Sequence, residues 1–194
     1  MPRRRSPRHE AIRGARGDQL TGDLHFAFAL PGDASLDRFD CGDTEVDAYF
    51  RSRRWFDAAR GQASPPTYAF RAARGGDVVG YATVAFRNVA HPDDRSAGRA
   101  RYLCIYAIGV ERRFQGLVVP GSTCRTFAAA MIAIIEDLAM ARSDCVGLSL
   151  WVRSTNRRAI RFYEKTGFAM DPTGPVQRDA GAPHASMRKR LPGR

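Results

Sequence analysis

The sequence predicts a single α+β domain, and three observations carry that prediction. β-rich runs alternate with turn signals, a few helical periodicities interrupt them, and no segment repeats. Hydrophobic residues make up 44% of the 194, enough for a core and too many for a disordered chain. Residues 1–22 stand apart as a disordered Arg-rich tail, which leaves 23–194 as the domain.

Leu24 to Leu30 alternates loosely and reads as a first strand closed by Pro31-Gly32. After Phe39-Asp-Cys-Gly42, Asp43 stands at a helix N-cap with Glu45 in the first turn, and the helix is expected to run to about Arg60. Val46, Tyr49, Phe50 and Phe56 would form its apolar side, with Arg51, Arg53, Arg54 and Arg60 around the rest. Residues 61–66 read as a loop. Thr67–Arg74 and Val78–Phe86 flank Gly75-Gly76-Asp77 and predict an antiparallel hairpin. Tyr102 to Val110 is apolar on both faces and therefore central in the sheet.

Beyond it, Cys124, Phe127, Met131, Ile134, Ile135 and Leu138 recur at steps of three and four, predicting a long helix to about Arg142. Ser122 is its expected cap, after the break at Pro120-Gly121. Val146–Val152 is the next strand, and Asn156 to Thr166 a short helix with Gly167 as its left-handed C-terminal residue. Phe168–Asp171 and Ala185–Arg190 are left as short final strands.

Charge and cysteine usage narrow the function classes. The formal net charge is +11, and every basic residue except Lys165 and Lys189 is arginine. The tail accounts for +4 of it, six arginines against Glu10 and Asp18, so the domain keeps +7. Such a surface attracts nucleic acid or the phosphates of a nucleotide cofactor, and equally serves solubility alone. Cys41, Cys104, Cys124 and Cys145 have no metal-ligand spacing and read as buried reduced thiols. No run of about 18 apolar residues exists and the N-terminus lacks a signal-peptide core, so a cytoplasmic location without membrane contact is expected.

The strand to Val110 runs through Glu111-Arg-Arg-Phe-Gln-Gly116 toward a helix N-terminus, an arrangement that favours anions, although the same glycines suit a plain tight turn. It is neither a Walker A motif nor GxGxxG. Leu148 to Phe168 then contains Asn156, Ala159, Phe162, Tyr163, Gly167 and Phe168 at the spacing found in GNAT acetyltransferases, and on these residues the chain resembles that family. The resemblance implies a mostly antiparallel mixed sheet with splayed central strands flanked by helices, and acetyl-CoA as cofactor. It places the pantetheine arm at Ile108, Gly109 and Val110, near Asn156 and Tyr163. Arg113 and Gly116 match the family's pyrophosphate loop. Val118 replaces its second small residue, so the phosphate-binding amides lie somewhere among Gln115, Gly116, Leu117, Val118, Gly121 and Ser122. Tyr163 is implied as general acid, and Glu111 is the nearest acidic candidate for a base.

Phe39-Asp-Cys-Gly42, Val46-Asp-Ala-Tyr-Phe50 and Val78-Val-Gly-Tyr81 are similar to the GNAT toxins of toxin–antitoxin pairs, which acetylate the amino group of aminoacyl-tRNA. That resemblance implies tRNA, an antitoxin protein and a homodimer as partners. It departs at Asn156-Arg157-Arg158, where toxins carry acidic residues. An ordinary acetyltransferase of small-molecule or protein amines, and a non-catalytic nucleic-acid-binding module, remain open beside it.

Overall fold

A computed structural model describes residues 24–57, 61–63, 65–73, 76–90, 98–122, 125–171 and 183–193. The Arg-rich tail, Cys124 and the first half of the Gly75-Gly76 turn lie outside the described residues. A seven-stranded sheet is ordered β1-β4-β5-β6-β7-β9-β8, from β1 (His25–Phe28), β4 (Thr67–Arg71), β5 (Val78–Ala90), β6 (Arg99–Val110), β7 (Cys145–Arg153), β8 (Ala169–Met170) and β9 (His184–Arg190). All neighbours are antiparallel except β6 and β7, which run parallel. The crossover between them carries helix α2 (Phe127–Met140). This is the mixed, mostly antiparallel α+β architecture expected, with the hairpin at β4 and β5 and the central strand at β6.

Period-two alternation along β4 assigns neighbouring side chains to two separate cores, and on β5 a bulge at Val79 shifts the alternation by one residue. Tyr68, Phe70, Val79 and Ala82 join Met131, Ile135 and Leu148 in the larger cluster under α2. Ala69, Val78 and Tyr81 join Leu36, Phe39, Phe50 and Trp55 in the smaller one. Helix α1 (Thr44–Arg51) covers that second core through Phe50, whose ring lies 5.5 Å from Phe39.

Three expectations about boundaries are corrected. The first helix stops at Arg51, nine residues short of Arg60. Arg53 adopts a left-handed φ of 56° and is held there by bonds from its guanidinium to the Pro31 carbonyl (2.7 Å) and Asp37 (2.7 Å). The reversal delivers Trp55, fully buried, into the smaller core, and Phe56 falls on β2 (Phe56–Asp57). The expected loop at 61–66 contains β3 (Gln62–Ala63), which pairs with β2. The long helix begins at Phe127 with Thr126 as its cap, because Thr126 is held in an antiparallel bridge to Val118 and so stands outside the helix. Ser122 instead accepts a bond from the Arg125 amide within that turn (3.1 Å).

Removing the buried indole should cost about 3–5 kcal/mol of stability. Trp55→Ala is expected to show this loss in urea unfolding, with the slope unchanged.

Candidate functional site

Between β5 and β6 the register slips. Thr83 faces Ala107 and Val84 faces Ile105, so Tyr106 is an extra residue on β6. A bulge bends the strand that carries it. On the other edge, pairing of β6 with β7 ends at Ile105 and Leu150, while β7 continues to Arg153 against β9. The two parallel strands therefore part at Tyr106, and a cleft of about 670 Å³ opens where they separate. Tyr106–Val110 forms one wall and Trp151–Arg153 the other.

The segment Phe39–Gly42 crosses the end of β6 and is fastened there. The Asp40 carbonyl accepts from Arg112 N (2.7 Å), Asp40 N donates to Glu111 Oε2 (3.1 Å), and Gln115 Nε2 donates to the carbonyls of Cys41 (2.7 Å) and Val110 (3.0 Å). Close approach requires a residue without a Cβ at position 109. A Cβ there would stand 2.9 Å from Phe39 Cζ and 3.1 Å from the Cys41 side chain. Cys41, half-buried in the cleft wall, has its thiol pushed up to about 12 by burial, so it remains protonated and unreactive.

Helix α3 (Arg157–Lys165) brings Tyr163 to the same cleft. Asn156 caps it by accepting from Ala159 N (3.1 Å). At its other end Gly167, at φ 91°, closes a Schellman motif in which Phe168 N donates to the Tyr163 carbonyl and Gly167 N to that of Glu164. The spacing from Tyr163 to Gly167-Phe168 is thus the span of this closure, and it sets the Phe168 ring edge-on to Tyr163 at 5.6 Å. Burial pushes the Tyr163 phenol well above its ordinary value, helped by the negative charge of nearby Asp43 and by Cys41.

Of the residues singled out in the sequence, the cleft gathers Ile108, Gly109, Val110, Gln115, Gly116, Asn156 and Tyr163. Gly116, at φ 77° with nothing within 4 Å of a notional Cβ, leaves its backbone open to a ligand. Leu117 and Val118 are exposed on the same loop, and Gly121 is likewise open. Glu111 and Arg113 are not brought in. Both line a separate cavity of about 310 Å³ with Ser35, Arg38, Arg71 and Asp77. There Arg113 pairs with Asp77 (3.1 Å) and lies over the Phe114 ring. Glu111, turned back by the 3-10 turn that follows β6, serves Asp40 N instead of the cleft.

Sequence reasoning missed Tyr49, Trp151, Arg153 and His184, which complete the lining. His184 faces Arg153 across the β7–β9 ladder, a pairing no local pattern announces. Asp43 was legible only as a helix cap. The basic surface also changes. Arg51 donates to the Phe39 carbonyl (2.6 Å) and Arg53 is used as above, whereas Arg54, Arg157, Arg158 and Arg161 are exposed. Among the described residues no cluster of metal ligands occurs, and no helix is long and apolar enough to cross a membrane.

Residues 34–168 match the model of the acetyltransferase (GNAT) family. No curated protein matches the chain significantly. Among solved structures, one described as a bacterial toxin superposes with a TM-score of 0.59 at 16% identity, over 88% of this chain and 92% of that one. AtaT complexed with acetyl-methionyl-tRNAfMet gives 0.56 at 18%, over 87% and 95%. Nourseothricin acetyltransferase gives 0.53 at 17%, over 88% and 99%. At such identities the likeness is one of fold.

A methyl group at position 109 must push the Phe39–Cys41 segment off β6. Gly109→Ala is expected to lose about 1–3 kcal/mol in denaturant unfolding, as overpacking does.

Proposed function

Because the chain belongs to the GNAT acetyltransferase family, we propose that it transfers the acetyl group of acetyl-CoA to the amino group of aminoacyl-tRNA, as a translation inhibitor in the cytoplasm. That it is an acyl-CoA-dependent transferase using acetyl-CoA follows from the family itself. The tRNA acceptor rests on one observation above others: Arg157, Arg158 and Arg161 are exposed on α3, the helix that carries Tyr163, and Arg158 reaches the cleft. A polyanion held by this face would have its end at the cleft mouth.

The residues present fit the acyl donor. Past Ile105 the β7-facing backbone groups of β6 have no strand partner, which suits the amide-bearing pantetheine arm. After Gln115, Gly116 and Gly121, both at positive φ, offer open backbone to the phosphates, while the amides of Gln115, Leu117, Val119 and Ser122 are already bonded within the loop. Bound there, acetyl-CoA supplies an activated acyl group and a thiolate leaving group that must be protonated. Tyr163 serves that need: its raised pKa keeps a proton on Oη throughout the neutral range, and the residue lines the same cleft as the separated strands. Gln115 fastens the start of the phosphate turn to the end of β6 and to the Phe39–Gly42 segment, through the Val110 and Cys41 carbonyls. Since Glu111 faces elsewhere, the amine loses its proton without it. An α-amino group, with a reference pKa of about 7.7–8.0, is already partly neutral at pH 7.

A second reading is favoured by the carboxylates of Asp43 and Glu45, which line the cleft beside its arginines. They suit a small polyamine or a protein amine.

Calorimetry with acetyl-CoA should show binding, and absence of heat at millimolar ligand would overturn the donor site. Tyr163→Phe should lower turnover by roughly 10²-fold with donor affinity nearly unchanged; activity within twofold of wild type removes Tyr163 as the acid. With four exposed arginines available, tRNA affinity should fall about 10²-fold between 50 and 200 mM salt. Mass spectrometry of RNase-treated tRNA from expressing cells should reveal N-acetyl-aminoacyl-adenosine. Its absence, together with acetylation of spermidine or a lysine peptide, selects the second reading.

A further inference from the structure

The side of the cleft formed by α1 carries a carboxylate whose two oxygens have been given different surroundings. Asp43 Oδ1 accepts from Glu45 N (3.1 Å), from Val46 N (3.3 Å) and from Arg153 Nη2 (2.9 Å). Oδ2 has no partner among the described residues. The first two bonds cap α1, and the third arrives from β7 on the far wall, so the carboxylate is fixed from both sides. Arg153 also pairs with Glu45 Oε2 at 2.9 Å, which leaves Asp43, Glu45 and Arg153 with one uncompensated negative charge. The Asp43 side chain is 26% exposed where Glu45 is 72% exposed, so Asp43 is the more enclosed member. It is also near enough to Tyr163 for its charge to act on the phenol.

A helix cap needs one oxygen. Asparagine or serine would serve α1 as well as aspartate does. Asp43 lines the cleft beside Tyr163, and the negative charge that Arg153 leaves uncompensated, with Oδ2 unpartnered, is available there to a ligand. We propose that Asp43 Oδ2 receives the acceptor's amino group, protonated or neutral, and orients it toward the carbon held near Tyr163. No bond to Asp43 forms or breaks. The carboxylate takes an N–H hydrogen bond, and the surplus proton of an ammonium leaves to water before attack. Arg153 has the complementary part: it holds Oδ1, keeps the carboxylate from turning, and offsets the Glu45 charge that would otherwise repel a phosphate-bearing acceptor. This rests on acyl transfer to a primary amine and is indifferent to which amine is used.

The test separates capping from charge. Asp43→Asn keeps a capping oxygen and removes the charge, whereas Asp43→Ala removes both. Wild type and both variants are assayed with acetyl-CoA and three amines: total aminoacylated tRNA, spermidine and a lysine peptide. With whichever amine the wild type acetylates, Asp43→Asn should raise the acceptor KM about 10- to 100-fold, as loss of a charged hydrogen bond does, with kcat at saturation within about threefold. The thermal midpoint of Asp43→Asn, which keeps an oxygen for Glu45 N, Val46 N and Arg153, should fall less than that of Asp43→Ala. An acceptor KM for Asp43→Asn within twofold of wild type overturns the assignment and leaves Asp43 a cap alone. Acetylation of spermidine or the peptide but not of tRNA overturns the tRNA reading while the KM comparison still decides Asp43. Acetylation of none of the three overturns both.

Discussion

A single surplus residue in β6 governs the site. Tyr106 has no counterpart on β5, and at that point β6 ceases to pair with β7 while β7 goes on pairing with β9. An ordinary parallel pair would satisfy its own backbone groups and leave nothing for a ligand. Here the ladder stops in mid-sheet, so unpaired amides and carbonyls face a space walled by strands on both sides.

The parted strands must still be held, and the chain does so with segments remote in sequence. Phe39–Gly42 lies across the end of β6 and is fastened to Glu111, Arg112 and Gln115. Arg153 at the end of β7 reaches Asp43 at the start of α1. Together these ties span the opening and fix its width. The same segment supplies Phe39 to the smaller core, where it meets Phe50 and Tyr81 edge-on. Stability and cleft geometry are therefore coupled through one short stretch, and Gly109 is the position at which the coupling is tightest.

What could be read in the sequence was whatever depends on near neighbours. The hairpin, the central strand and α3 were legible because caps, turns and alternation are local, and Tyr163 was legible through the family resemblance carried by its spacing to Gly167 and Phe168, a spacing that the Schellman closure fixes. Tertiary events decided the rest. Helix α1 ended early because Arg53 found acceptors at Pro31 and Asp37, neither visible from the 44–60 pattern. Helix α2 began late because Val118 bridges Thr126. Glu111 stood at the right place along the chain, but the 3-10 turn that follows Val110 faces it toward the other cavity. Arg153 and His184 entered the cleft through a pairing across 30 residues of sequence, which no window of periodicity contains.

Strand β9 is the latest of the sheet in chain order, yet it lies between β7 and β8 and not at an edge. A ribosome that has made everything up to Met170 has therefore produced β7 with one side unpaired and His184 still missing from the cleft. Such late, long-range insertion is slow relative to local pairing. During synthesis the nascent chain carries Tyr163 and the arginines of α3 outside a finished sheet, and catalytic competence waits for the strand that completes it.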